Sequence, residues 1–282
     1  MPVRRFWHDM SARDFGDCDP DTWIAVLPVA AIEQHGAHLP LGTDTAIAEA
    51  HVARVAELLP ADAPIIFLPV QAYGWSQEHS AAGTLTLTAD TLIKVLTELG
   101  DSVAASGIRK LVLVNSHGGN SPILDVVVQQ LRLRHHMLAA TTSWSRFGAP
   151  EGLIDADERA FGIHGGLAET SVMLAARPDL VRTEHLADFP SDQSDFIGKF
   201  KHLKAYGRPA SFGWRIEDLN PAGVVGAAAG AEASTGEALI DHAARGFIEL
   251  IDDIRRFDLA DLWEPASGTD CGQDCDDEES DA

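Results

Sequence analysis

The stretch LPVAAIEQHGAHLPLGTDT, Leu27 to Thr45, begins as an apolar run of strand length and ends where a helical pattern starts. Glu33, His35, His38 and Asp44 lie between the two. Residues two apart in an extended chain point to the same side, so Glu33 and His35 can face one point in space. Asp44 sits just ahead of the helix, where an aspartate serves either as an N-cap or as a third group aimed at that point.

Outward from this stretch the same handover recurs. Apolar runs at Trp23 to Val29, Pro64 to Val70, Lys110 to Asn115 and Met137 to Ser143 alternate with helical periods, the pattern of βα units around a mainly parallel sheet. Thr45 to Leu59 places Ile47, Val55 and Leu58 on one stripe, and Thr88 to Ser106 does the same with Leu92, Val95, Leu96, Leu99 and Val103. Pro122 opens a helix running to about Arg134, Gly165 to Ala176 reads as a shorter one, and Gly230 to Phe257 as a long amphipathic one. Between Pro178 and Val225 the periodicity fails, which predicts loops and short strands, with Trp214 placed to line a site or a subunit contact. No linker divides the chain, so residues 1–265 are expected to form one domain and the acidic stretch 266–282 a disordered tail.

Two further polar clusters stand at strand-to-helix junctions. NSHGGN, Asn115 to Asn120, puts His117 at a strand's carboxyl end, where open α/β sheets bind ligands. HGGLAETS sets His164 before two glycines and Glu169 in the helix that follows. Taken singly, each is an ordinary polar residue. Together, the imidazoles of His35 and His117 and the carboxylates of Glu33, Asp44 and Glu169 form an N/O coordination set suited to Zn, Mn or Fe. Asp44 is the candidate to bridge two such metals.

At these clusters the chain resembles the creatininase family, through the pattern E-x-H-G-x-H-x-P-x-x-T-D from Glu33 to Asp44 and over roughly Trp7 to Phe257. The resemblance implies a three-layer α/β/α sandwich, two divalent metal ions per chain, an amidohydrolase acting on a cyclic amide or formamide, and a homo-oligomer. It implies that Glu33, Asp44 and His117 hold one metal, that His35 and Asp44 begin the shell of the other, and that His164 shuttles a proton. A glutamate that creatininase carries two residues beyond the His117 position is Gly119 here, so another group must complete the second set: Glu169 is the candidate, with water or Glu78 as the alternatives. The loop from Tyr73 to Gly83 lines the family's substrate pocket, which makes Tyr73, Ser76 and His79 candidate substrate contacts and Glu78 a catalytic one. Of the tryptophans that cage creatinine, Trp144 is matched and the other position reads Ala160. A metallopeptidase for small peptide-like substrates and a non-catalytic ligand-binding module are the alternatives.

Composition narrows the partners to a small molecule. With 45% hydrophobic residues the 282-residue chain can bury a sizeable core. Net charge is −22, and 266–282 contributes seven acids and no bases, leaving roughly −15 on the rest. Such a field repels phosphate backbones and anionic lipid surfaces, which argues against nucleic acid and membrane. The charged start, Met1 to Asp14, lacks a signal peptide's apolar core, so a cytoplasmic protein is expected. Cys18, Cys271 and Cys275 do not make a disulfide framework.

Overall fold

The computed structural model describes residues 4–16, 19 and 21–263. The tail expected at 266–282 and all three cysteines lie outside the described residues. Four parallel strands, β1 (Ile24–Val29), β2 (Ile65–Phe67), β3 (Lys110–Asn115) and β4 (Leu138–Ser143), form a sheet in the order β2-β1-β3-β4. β1 and β3 pair in register from Ile24 opposite Lys110 to Val29 opposite Asn115. β2 stops short of the expected Val70, and Pro69, which has no N–H to give, lies just beyond it.

Seven α-helices run through the described residues: α1 (Thr43–Leu58), α2 (Ala89–Ala105), α3 (Ser121–His135), α4 (Ala156–Phe161), α5 (Leu167–Ala176), α6 (Gln193–Lys199) and α7 (Ala233–Arg256). The strand pleat decides which face each covers. Ala25, Leu27 and Val29 of β1 turn to one side with Leu111 and Leu113, where Leu92 and Leu96 of α2 and Leu124 and Val127 of α3 bury them. Ile24 and Val26 turn to the other with Val112 and Val114, beneath Val55 of α1 and Phe247 and Ile251 of α7. This is the three-layer α/β/α sandwich, and no helix of the described residues is long and apolar enough to cross a membrane.

Some boundaries differ from the sequence reading. α1 starts at Thr43, so Asp44 lies inside its first turn and Gly42 holds the N-cap position. α4, which has no helical stripe, is closed by Asp155, whose carboxylate accepts from Glu158 N at 2.7 Å. Between Pro178 and Val225 short turns and two-residue strands dominate, as expected, but α6 and a small core of Ala205, Ile216, Leu219 and Val225 give the segment its own packing. At the amino end of the sheet the buried Lys110 caps α7, donating to Arg255 O at 3.2 Å and Phe257 O at 2.8 Å.

Candidate active site

All the candidate ligands gather at the opposite, carboxyl end of the sheet. After β1 the chain runs through Glu33 to Gly36, turns there with a positive φ of 68°, and returns so that Glu33 N donates to Leu41 O at 3.0 Å. That hairpin delivers Glu33 and His35 from one limb and Asp44 from the start of α1. After β3, Asn115 Oδ1 accepts from His117 N at 3.1 Å and fixes the turn that presents the imidazole. Gly165, with φ 67°, lets the chain reverse before α5, and its N–H donates to Glu169 Oε2 at 2.6 Å. Glu169 thereby leans back from the first turn of α5 toward the β1 loop.

The distances divide the cluster in two. His117 Nδ1 lies 3.1 Å from Glu33 Oε1 and 3.7 Å from Asp44 Oδ2. His35 Nε2 lies 3.7 Å from Asp44 Oδ1 and 3.7 Å from Glu169 Oε2. The two oxygens of Asp44 therefore face different partners. Each imidazole is oriented by its other nitrogen: His117 Nε2 donates to Trp75 O at 3.0 Å, and His35 Nδ1 donates to Glu33 O at 3.1 Å. Such bonds fix the tautomer and turn a lone pair inward, as backbone carbonyls do behind metal-bound histidines. Both oxygens of Glu33, both of Asp44 and His35 Nε2 are buried without a hydrogen-bond partner. Five orphaned polar atoms at one point are costly unless a cation meets them, so the residues fit a metal centre.

The electrostatics give the same reading. Burial favours the neutral acid at Glu33, yet the imidazoles of His117 and His35 outweigh it and hold the carboxyl well below its usual range. Burial also opposes charge on His35, but Asp44, Glu169 and Glu33 raise it to about 9. His117 is raised well above its ordinary value because Glu33, Glu78 and Asp44 overcome its burial. Burial, with Asp44 and Glu33 adding to it against the opposing charge of His35, pushes Glu169 up to about 7. Three carboxylates at one point draw positive charge; protons supply it in the metal-free chain, and a divalent metal would displace them.

The family profile described as creatinine amidohydrolase matches residues 8–251, most of the chain. The chain belongs to the creatininase family. It is 32% identical over 206 residues to the creatinine amidohydrolase of Pseudomonas putida, a match covering 65% of this chain and 74% of that one. It is 41% identical over 175 residues to the mycofactocin precursor peptide peptidase of Mycobacterium ulcerans, covering 60% of this chain and 64% of that relative. The chain thus spans less than two thirds of the length of this peptidase. A solved glutamate-to-glutamine creatininase variant of Zn–Zn type superposes with a TM-score of 0.72 at 24% identity, over 89% of this chain and 98% of the other.

Within this creatininase frame two cavities flank the ligand cluster. One, of about 810 Å³, is lined by His164, Glu78, His79 and the aromatic side chains of Trp75, Tyr206 and Trp214. His164 Nδ1 is 3.5 Å from Glu33 Oε1, and its Nε2 donates to Gln34 O at 2.8 Å. Burial and the neighbouring His35 pull its pKa well below that of a free imidazole, so it stays neutral. His79 Nε2 reaches within 3.3 Å of Glu33 Oε1 and Glu78 Oε1 within 3.3 Å of His117 Nε2. The second cavity, of about 590 Å³, is lined by Trp144, which stacks on His51 at 4.8 Å.

The structure does not bring every candidate to the cavities. Tyr73 is 51% exposed and lines neither, because the next residue, Gly74, is the one turned inward: a Cβ there would meet Ala30 O at 2.5 Å. Ser76 is fully buried behind His117, its Oγ 3.5 Å from Nε2. His38 of the quoted stretch bonds Gly165 O at 2.9 Å and stacks on Phe189, so it braces the turn before α5. Sequence reasoning passed over Gln34. It lies between two candidate ligands and points away from them, and its amide meets His79 Nδ1 at 2.9 Å and the Gly223 carbonyl.

Proposed function

We propose that this protein is a metal-dependent amidohydrolase that cleaves the C–N bond of a small amide, with Glu33, Asp44 and His117 holding one divalent metal and His35, Asp44 and Glu169 the other. The observation that carries the reading is Asp44, whose buried oxygens are unpartnered and face two separate ligand pairs, as a bridging carboxylate must. The Zn–Zn type of the solved relative supports zinc, and manganese and iron suit the same donors. Metals bound there would lower the pKa of a water toward about 7 and polarise the amide carbonyl.

The chain's own residues handle the proton. A neutral imidazole at His164 can accept one beside Glu33 and pass it to the departing nitrogen, which otherwise leaves as a strongly basic anion. Glu78 and His79 line the same cavity, His79 beside Glu33 and Glu78 beside His117, where either can orient the substrate or assist the proton transfer. A second reading, a peptidase for a small peptide-like amide, is favoured by the higher identity to the mycofactocin relative and by room on both sides of the cluster.

Metal analysis of the purified protein, with a turnover screen of cyclic amides, formamides and short peptides, tests both readings. We expect two metals per chain in wild type and in His164→Ala, with turnover in the variant lower by about 100-fold or more. A protein that binds no metal, or a His164→Ala variant as active as wild type, overturns the proposal.

A further inference from the structure

The two cavities share Ser116, His117, Gly118, Ile163 and Glu169, so the ligand cluster forms a wall between them. Their remaining walls differ in charge balance. The first carries Glu78 and Asp218 with one guanidinium, Arg215, whereas the second carries two guanidinium groups, Arg146 and Arg159, with one further carboxylate, Glu158. Among the described residues Arg54, Arg134, Arg177, Arg245, Arg255 and Arg256 form ion pairs, whereas the other arginines, Arg215 of the first cavity included, form none. Among the described residues Arg146 and Arg159 form no ion pair, and Arg159 donates only to Ile154 O.

Of the acids in that wall, Glu158 is already occupied. Glu158 Oε1 accepts from Leu167 N at 2.7 Å and Oε2 from Ala227 N at 2.8 Å, so it serves the backbone at the start of α5. The same wall holds Trp144, whose indole N–H is buried without an acceptor, and the hydroxyls of Ser143 and Ser145. Two guanidinium groups without a carboxylate partner, an unpaired indole donor and two hydroxyls form a donor surface for an acceptor-only anion. Glu158 and Glu169 in the same wall favour a planar monoanion over a dianion such as phosphate.

We propose that the second cavity binds a carboxylate carried by the amide substrate, through Arg146 and Arg159, while the rest of the substrate crosses the ligand cluster into the first cavity. The substrate is then an extended amide with a substituent on each side of the scissile bond and an acid on one of them. This rests on the hydrolase reading above and adds a substrate class to it.

The test compares amides as free acids and as the matched alcohols, for instance N-acyl amino acids against N-acyl amino alcohols, together with short peptides. Wild type should prefer the acid by at least about tenfold in kcat/KM, and Arg146→Gln/Arg159→Gln should lose most of that ratio. Arg255→Gln/Arg256→Gln, at the far end of the sheet, removes the same charge and should keep the ratio. Calorimetric binding of glutarate to the metal-loaded protein should weaken at least about tenfold in the double variant. Equal turnover of acid and alcohol by wild type, or a ratio and glutarate affinity that the double variant leaves unmoved, overturns the inference. Should no amide be turned over, the hydrolase reading fails and the glutarate measurement alone decides on the carboxylate site.

Discussion

At the scale of single residues the site turns on Asp44 and Glu169, which the distances place in different roles. Asp44 addresses both His35 and His117 at 3.7 Å, whereas of these two imidazoles Glu169 pairs with His35 alone. Asp44→Ala should therefore lose both metals, and Glu169→Gln only the one beside His35, with the fold intact in each; elemental analysis that finds two metals retained in either variant would refute the assignment. His51 permits a separate prediction that needs no metal. Its ring is packed on Trp144 with Nδ1 donating to Ile47 O at 2.8 Å, and burial lowers its pKa from 6.5 to about 4. A depressed imidazole is protonated first in the unfolded chain, so its contribution to stability is complete above about pH 6.5 and drains away as pH falls from 6.5 toward 4. That interval corresponds to about 3 kcal/mol. Denaturant titrations at pH 7 and pH 4 should show His51→Leu losing less stability than wild type by about this amount; parallel losses would show that His51 is not the titrating group.

At the scale of elements, the position of Glu169 depends on how α5 seats against α7. Gly236 makes that contact: a Cβ there would lie 1.9 Å from Ser171 O and 2.8 Å from Val172 N, both backbone atoms of α5. No rotamer change relieves a clash with backbone, so Gly236→Ala must push α5 away. We expect a loss of about 1–3 kcal/mol despite alanine's better helix propensity, together with weaker retention of the metal held by Glu169. The control is Gly198→Ala in α6, where a Cβ meets nothing within 4 Å and the same change should stabilise by up to about 1 kcal/mol. A melting temperature unchanged in Gly236→Ala would refute the account. The contrast also shows what was legible in the sequence. The pleat that puts Glu33 and His35 on one side is a property of any extended chain, and four apolar runs at strand length gave the sheet. Helix packing has no such local signature: nothing in the letters separates Gly236 from Gly198. Arg146 and Arg159 likewise share a wall only because the turn after β4 and helix α4 line one cavity, and Tyr73 lost its place to a neighbouring glycine whose backbone contact is made across the fold.

At the scale of the whole molecule, the proposed metals tie together segments distant in the chain: the loop after β1, the start of α1, the turn after β3 and the first turn of α5. Without them, three carboxylates and two imidazoles share one buried point, and both oxygens of Glu33 and of Asp44 go without partners. The metal-free fold must pay that cost with protons, as the raised His35 and Glu169 show. An ion that binds the folded cluster and not the unfolded chain stabilises by mass action, by about 4 kcal/mol when present at a thousandfold excess over its Kd. For a domain of this size that amounts to a rise in melting temperature on the order of 8 °C. Protein stripped with a chelator should therefore melt lower by about that much, and zinc or manganese should restore it. Asp44→Ala should melt at one temperature whether or not metal is added, since it lacks the group common to both sets. Calorimetric melts of wild type and Asp44→Ala, each stripped and reloaded, decide the matter: a wild type indifferent to metal, or a variant that still responds fully, would show that these side chains do not form the centre.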